Sequence, residues 1–179
     1  LAEGAAAVTS SGTYPTFNYH VVGYGGRLQE VPYAGDAVDL DALAEAARRH
    51  SARVVYVANP DNPAGTFHGR EDVRRLVDSV PDGCVVLLDE AYSDFAPSDD
   101  LLPVDVDDWR VLRVRTFSKA HGFAGLRIGY AIVHEAIATA FGKVRHHFGV
   151  NRCAQTAALA SLGDPGFAEG VVRAVEEGR

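Results

Sequence analysis

The order of apolar patterns along this chain predicts an α/β fold: a mostly parallel central sheet with helices on both of its faces. Two runs, RVVYVA at 53–58 and CVVLL at 84–88, are continuously apolar after Arg53 rather than alternating with polar residues. Such strands are buried on both faces, as in a parallel sheet covered by helices. Before and between them, apolar residues take helical spacing. Leu40, Leu43, Ala44 and Ala47 fall at i, i+3, i+4 and i+7, and Val73, Leu76, Val77 and Val80 mark a second such stripe. Strands that alternate with amphipathic helices run parallel, because each helix carries the chain back across the sheet.

The elements follow in order. Residues 5–9 (AAAVT) make a weak first strand, ended by Ser10-Ser11-Gly12-Thr13. Residues 15–25 read as a short helix closed by Gly25-Gly26, and 27–32 as a second short strand. The helix at 39–49 is the clearest, with acids in its first turn and Arg48-Arg49 in its last, which suits the helix dipole. The strand at 53–58, a helix through 73–80 and the strand at 84–88 come next. Residues 96–108, rich in Asp and Pro, are expected to form one surface loop. Strands at 111–115 and 127–133 then lead into helices near 135–147, 151–162 and 165–177.

Composition narrows the partners. The 179 residues hold 17 Lys+Arg against 24 Asp+Glu, a formal net charge of −7, with 47% hydrophobic and 23% charged residues. This is a globular composition, not a disordered, collagen-like or disulfide-stapled one. At this length roughly 70% of the unfolded surface is buried on folding, enough for one filled domain. An acidic balance argues against nucleic acid or an anionic membrane as partner, and no apolar run approaches the ~20 residues of a transmembrane helix. Cys84 and Cys153 form no CxxC pair and are expected to be buried free thiols of a reducing, cytoplasmic compartment. The chain begins at Leu1, contains no Met and ends on Glu176-Glu177-Gly178-Arg179 within a helical pattern. It is therefore expected to be a piece of a longer protein, with any targeting segment upstream.

In open α/β sheets, ligands bind beyond the carboxyl ends of the strands, and polar residues gather there. Thr13-Tyr14-Pro15-Thr16 follows the first strand and Asn59-Pro60-Asp61-Asn62-Pro63-Ala64-Gly65-Thr66 follows RVVYVA. Asp89-Glu90-Ala91-Tyr92 follows CVVLL, and Thr116-Phe117-Ser118-Lys119 follows the 111–115 strand, with Arg127 further on. Singly, each has a plain explanation. The Asn-Pro run is good turn sequence, Asp89 suits a helix cap, Tyr14 a core, Lys119 open surface and Arg127 a salt bridge. Four strand ends that together deliver an aromatic, an amide, a carboxylate with a phenol, and a lysine with hydroxyls and an arginine need a common reason.

With these segments in place, TYPTF (13–17), NPDNPAGT (59–66), DEAYSDF (89–95) and TFSKAHGFAGLRIGYA (116–131) resemble those of fold-type I pyridoxal-phosphate (PLP) enzymes, nearest the histidinol-phosphate-type aminotransferases. The resemblance implies PLP as cofactor and residues 1–179 as a PLP-binding large domain, incomplete at both ends. It implies Lys119 as the lysine joined to the PLP aldehyde, an attack that needs a neutral amine and is favoured by partial burial beside cationic groups. The same lysine would then carry a proton to and from the substrate α-carbon. Asp89 would pair with the pyridine nitrogen. Tyr92 and Asn62 would hydrogen-bond the ring oxygen, and Tyr14 would stack on the ring. Thr116, Ser118 and Arg127 would hold the phosphate. No GxGxxG or Walker loop points to a nucleotide.

Other residues carry less. His146-His147 are adjacent rather than at i, i+4, so they suit a surface better than a metal. His20, His68 and His121 have no evident partners, Asp99-Asp100 and Asp107-Asp108 read as solvated loop charges, and Ser93-Asp94 belongs to no hydrolase triad. Relatives of this type carry an upstream phosphate-binding segment and a downstream small domain with a substrate-carboxylate arginine, and the resemblance implies a homodimer. The activity it implies is transfer of an amino group between an amino acid or amino-phosphate and a 2-oxo acid or related carbonyl acceptor. A threonine-phosphate-type decarboxylase, a PLP-sensing transcription regulator and a non-catalytic PLP-binding module are the alternatives.

Overall fold

The structure, a computed structural model, describes residues 2–178; Leu1 and Arg179, the ends of the expected domain span, lie outside the described residues. Six strands form one sheet in the order β2-β1-β3-β4-β5-β6. They are β1 (Ala6–Ser10), β2 (Arg27–Val31), β3 (Val54–Ala58), β4 (Val85–Asp89), β5 (Val111–Thr116) and β6 (Gly129–Ile132). The first five are parallel, and β6 pairs antiparallel with β5. The helices are α1 (Thr16–Gly23), α2 (Leu40–Arg49), α3 (Arg70–Ser79), α4 (Glu135–Val144), α5 (Arg152–Leu162) and α6 (Pro165–Glu177).

The weak first strand is fully buried, because it lies between β2 and β3. Small alanines suit such a crowded central place. The chain steps outward from β1 to β2, then returns past β1 to β3. The winding direction reverses between β1 and β3, and that reversal opens a crevice at the strands' carboxyl ends.

Strand parity decides which residues meet. Ala58 pairs with Asp89, and Asp89 with Val114. Partners on adjacent strands share a face, as do residues two apart. Tyr56, Ala58, Asp89, Val114 and Thr116 therefore lie on one face, and Val55, Val57, Val86, Leu88 and Glu90 on the other. The second face packs against α2 and α3. Val8, Leu43, Val55, Val73, Leu76, Val77, Val86 and Leu88 meet there, each 2% exposed or less. Burying each such side chain is worth about 1.5–3 kcal/mol. Asp39 caps α2 by accepting a hydrogen bond from Ala42 N at 2.9 Å. On the first face α1 covers part of the sheet, with the Phe17 ring stacked on Tyr56 at 4.6 Å.

Three expectations are corrected. Cys84 is buried, and burial pushes its thiol up to about 11, but Cys153 is exposed, on the outward side of α5. The 96–108 segment is not all surface loop: it holds a short 3-10 turn at Ser98–Asp100, and Leu102 is 5% exposed in the core. Asp108 is not a solvated charge. Its oxygens accept from Arg110 Nε and Nη2, each at 2.9 Å, and from Arg74 Nη1 at 3.0 Å, and its side chain is 9% exposed.

The Arg110 guanidinium is the chief cause that holds the Asp108 carboxyl down at about 2. A carboxylate lowered in the folded state stabilises above its unfolded value and loses that contribution as pH falls toward the folded one. The Asp108→Asn penalty in urea unfolding is therefore expected to be full at about pH 6 and to shrink between about pH 4 and pH 2. An equal penalty at both ends of that window would show that the charge on Asp108 contributes nothing.

Candidate active site

The crevice at the carboxyl ends of β1, β3, β4 and β5 holds a cavity of ≈ 360 Å³. All eight residues singled out in the sequence line it: Tyr14, Asn62, Asp89, Tyr92, Thr116, Ser118, Lys119 and Arg127. They arrive from four strand ends and the loops that follow, because parallel strands end at the same edge. One end is anionic and the other rich in donors.

Asp89, the last residue of β4, forms the anionic end. Its Oδ1 accepts Ala91 N–H at 3.0 Å, and its Oδ2 accepts the Tyr56 hydroxyl at 2.8 Å. The helix cap considered for Asp89 is thus reduced to one local bond, since a 3-10 turn at Ser93–Phe95 follows in place of an α-helix. Tyr92 sits beside it, and Asn62 Nδ2 donates to the Tyr92 hydroxyl over a long 3.4 Å. The Lys119 ammonium lies 4.9 Å from the centre of the Tyr92 ring, a cation–π placement. Lys119 is exposed, so the partial burial expected for it is not found.

Thr116 and Ser118 form the hydroxyl end. Thr116 Oγ1 accepts Ser118 N–H at 3.0 Å and lies 2.8 Å from Ser118 Oγ. Arg127 is exposed at the rim and donates to Ala124 O at 2.8 Å. Its backbone is left-handed, with φ 57°, a conformation that costs an ordinary residue ~1–2 kcal/mol. Tyr14 is 50% exposed, which excludes a core role for it.

Sequence reasoning gave no role to Tyr56, Asp61 or Glu90. Asp61 is 4% exposed and accepts from Thr13 Oγ1 at 3.2 Å, Tyr33 Oη at 2.9 Å and Ala64 N at 3.2 Å. It ties the β1 loop that carries Tyr14 to the β3 loop that carries Asn62. Burial first, then the Asp61 carboxylate, pushes the Tyr33 phenol up to about 12, so it stays a donor. Glu90 faces away from the cavity, where it binds Arg113 Nη1 at 2.6 Å and Arg115 Nε at 2.7 Å. Among the histidines, His121 does have a partner, Ser161 Oγ at 2.7 Å, while His146 and His147 are exposed. Among the described residues no group of His, Cys, Asp and Glu is placed to hold a metal ion.

The family model for aminotransferase class I and II matches residues 1–178. An aromatic amino acid aminotransferase of Nocardia farcinica is 49% identical over 139 residues, 74% of this chain and 38% of that protein. Histidinol-phosphate aminotransferase 1 of Bacillus cereus is 35% identical over 181 residues, covering 99% of this chain and 49% of that protein. Among solved structures, the histidinol-phosphate aminotransferase from Sinorhizobium meliloti in complex with pyridoxal-5'-phosphate is 48% identical with a TM-score of 0.93, over 96% of this chain and 47% of that one. The chain spans about half the length of the relatives it matches, or less.

Proposed function

We propose that this chain, which belongs to the aminotransferase class I and II family, is a PLP-binding large domain over residues 1–179 and serves amino-group transfer. The transfer runs between an amino acid or amino-phosphate and a 2-oxo acid or related carbonyl acceptor. The observation that carries this reading is the convergence of Lys119, Asp89, Asn62 and Arg127 on one cavity.

The donor set suits PLP. A carboxylate at one end matches a protonated ring nitrogen, and hydroxyls with an arginine and a lysine at the other match a phosphate. When bound, PLP supplies an aldehyde to which an amine joins and a ring that accepts electrons. Lys119 Nζ would be the joining amine and would move a proton on and off the substrate α-carbon. Asp89 would pair with the protonated ring nitrogen. Tyr92 and Asn62, already in contact, would hydrogen-bond the ring oxygen. Tyr14 would stack on the ring, where aromatic pairs gain ~0.5–1.5 kcal/mol beyond area burial. Thr116, Ser118 and Arg127 would hold the phosphate.

The named relatives are aminotransferases, which favours transfer over decarboxylation, PLP sensing by a regulator or PLP binding without catalysis. A homodimer of the whole protein accounts for large apolar side chains left open: Tyr24 is 78% exposed, Val144 81% and Leu159 72%. Cytoplasmic amino-acid biosynthesis is the setting that fits two unpaired cysteines and these relatives. Among the described residues no helix is long and apolar enough to cross a membrane.

The test adds PLP to the 179-residue chain, then an amino-acid donor. A visible band that Lys119→Ala removes is expected, with slow conversion on adding the donor. Orientation is worth ~7–11 kcal/mol of barrier, and half a relative's length supplies only part of it. The absence of any Lys119-dependent band would sink the cofactor assignment. Rapid conversion would show that these residues suffice.

A further inference from the structure

We propose that Tyr56 is a positioning residue, whose hydroxyl aims the Asp89 carboxylate into the cavity. The proposal rests on the PLP reading above. Tyr56 lies mid-strand in β3 and Asp89 ends β4, on the same face of the sheet by register, since Ala58 pairs with Asp89. The phenol therefore reaches diagonally across one strand spacing and donates to Oδ2 at 2.8 Å. Ala91 N–H holds the other oxygen at 3.0 Å. One donor on each oxygen fixes the plane of a carboxylate and leaves its remaining lone pairs facing the cavity.

The kind of donor matters. Arg113 and Arg115 of β5 pair with Glu90, not with Asp89. Asp89 is thus held by two neutral donors, so its negative charge is left for a cationic group in the cavity. A hydrogen bond from a neutral hydroxyl stabilises the anion without cancelling it. Tyr56 is well suited to this task. It is 4% exposed, and its ring is clamped by the Phe17 stack at 4.6 Å and 11°. Burial and then the Asp89 charge push its phenol upward, so it remains a donor throughout the working pH range.

The test is the PLP-loaded whole protein carrying Tyr56→Phe, which keeps the ring and its stack. Its readouts are the pH midpoint of the Lys119-dependent visible band and the PLP affinity. Tyr14, Asp61, Tyr92, Arg115, Lys119 and Arg127 also face this region and are left unchanged. A less firmly held Asp89 would stabilise a protonated ring nitrogen less, so less charge would be drawn from the Lys119 nitrogen, which would keep its proton to higher pH. The midpoint is expected to rise by about half a unit and PLP to bind about tenfold more weakly. In an Asp89→Asn background, Tyr56→Phe is expected to add no further shift, because the two act as one unit. An unchanged midpoint and affinity would overturn the proposal, and so would an equal shift in the Asp89→Asn background. A fall in melting temperature with the midpoint unmoved would make Tyr56 purely structural and overturn it too. If the unaltered protein has no Lys119-dependent band, the PLP reading itself fails and this proposal goes with it.

Discussion

Asp89→Asn in the PLP-loaded whole protein is expected to slow exchange of the substrate α-proton by about 10²–10³-fold, while PLP binding weakens far less. An asparagine fills the same space and still accepts a hydrogen bond, but it carries no charge. Without that charge the cavity's anionic end would no longer favour a protonated ring nitrogen, the form in which a bound ring accepts electrons. The contacts proposed for Lys119, Ser118, Thr116 and Arg127 are untouched, so binding is expected to persist. Proton exchange is followed by NMR in deuterated solvent, and PLP affinity by titrating the visible band. Exchange at the unaltered rate would remove Asp89 from the role of ring partner.

Glu90→Ala is the largest expected effect on stability, about 3–5 kcal/mol. Glu90 and Arg113 are 1% and 3% exposed on their side chains, and Glu90 binds two guanidiniums at once. Arg113 Nη2 also donates to Leu102 O at 2.6 Å and Pro103 O at 2.8 Å, which pins the 96–108 segment to the sheet. Removing the carboxylate leaves a buried guanidinium charge uncompensated. For a domain of this size the melting temperature is expected to fall by about 10 °C. Glu90→Gln, which keeps hydrogen-bond capacity without charge, is expected to fall between the two. A Glu90→Ala protein that melts within a degree or two of the unaltered one would show that the arginines find water instead.

The sequence alone carried the strand and helix order, because apolar period and end signals are local. RVVYVA and CVVLL became β3 and β4, and the 39–49 pattern became α2 with Asp39 as its cap. The eight residues gathered from strand ends line one cavity for a simple reason: parallel strands separated by helices end at a common edge. What local pattern could not carry was partnership across strands. Asp89 and Glu90 are neighbours in the chain, yet one faces the cavity and the other binds the buried Arg113 and the half-buried Arg115. Only the register of β4 against β3 and β5 assigns them. Tyr56 reads as one more apolar strand residue until Ala58 is set opposite Asp89. Asp61 reads as turn chemistry until Thr13 and Tyr33 arrive from 48 and 28 residues away. Asp108 reads as a loop charge until Arg74 and Arg110 close on it. Side-chain type and spacing along the chain determined which groups reach the carboxyl edge. Which carboxylate is neutralised and which keeps its charge free was decided by tertiary pairing, because the Coulomb and hydrogen-bond terms act over a few ångströms between residues far apart in sequence.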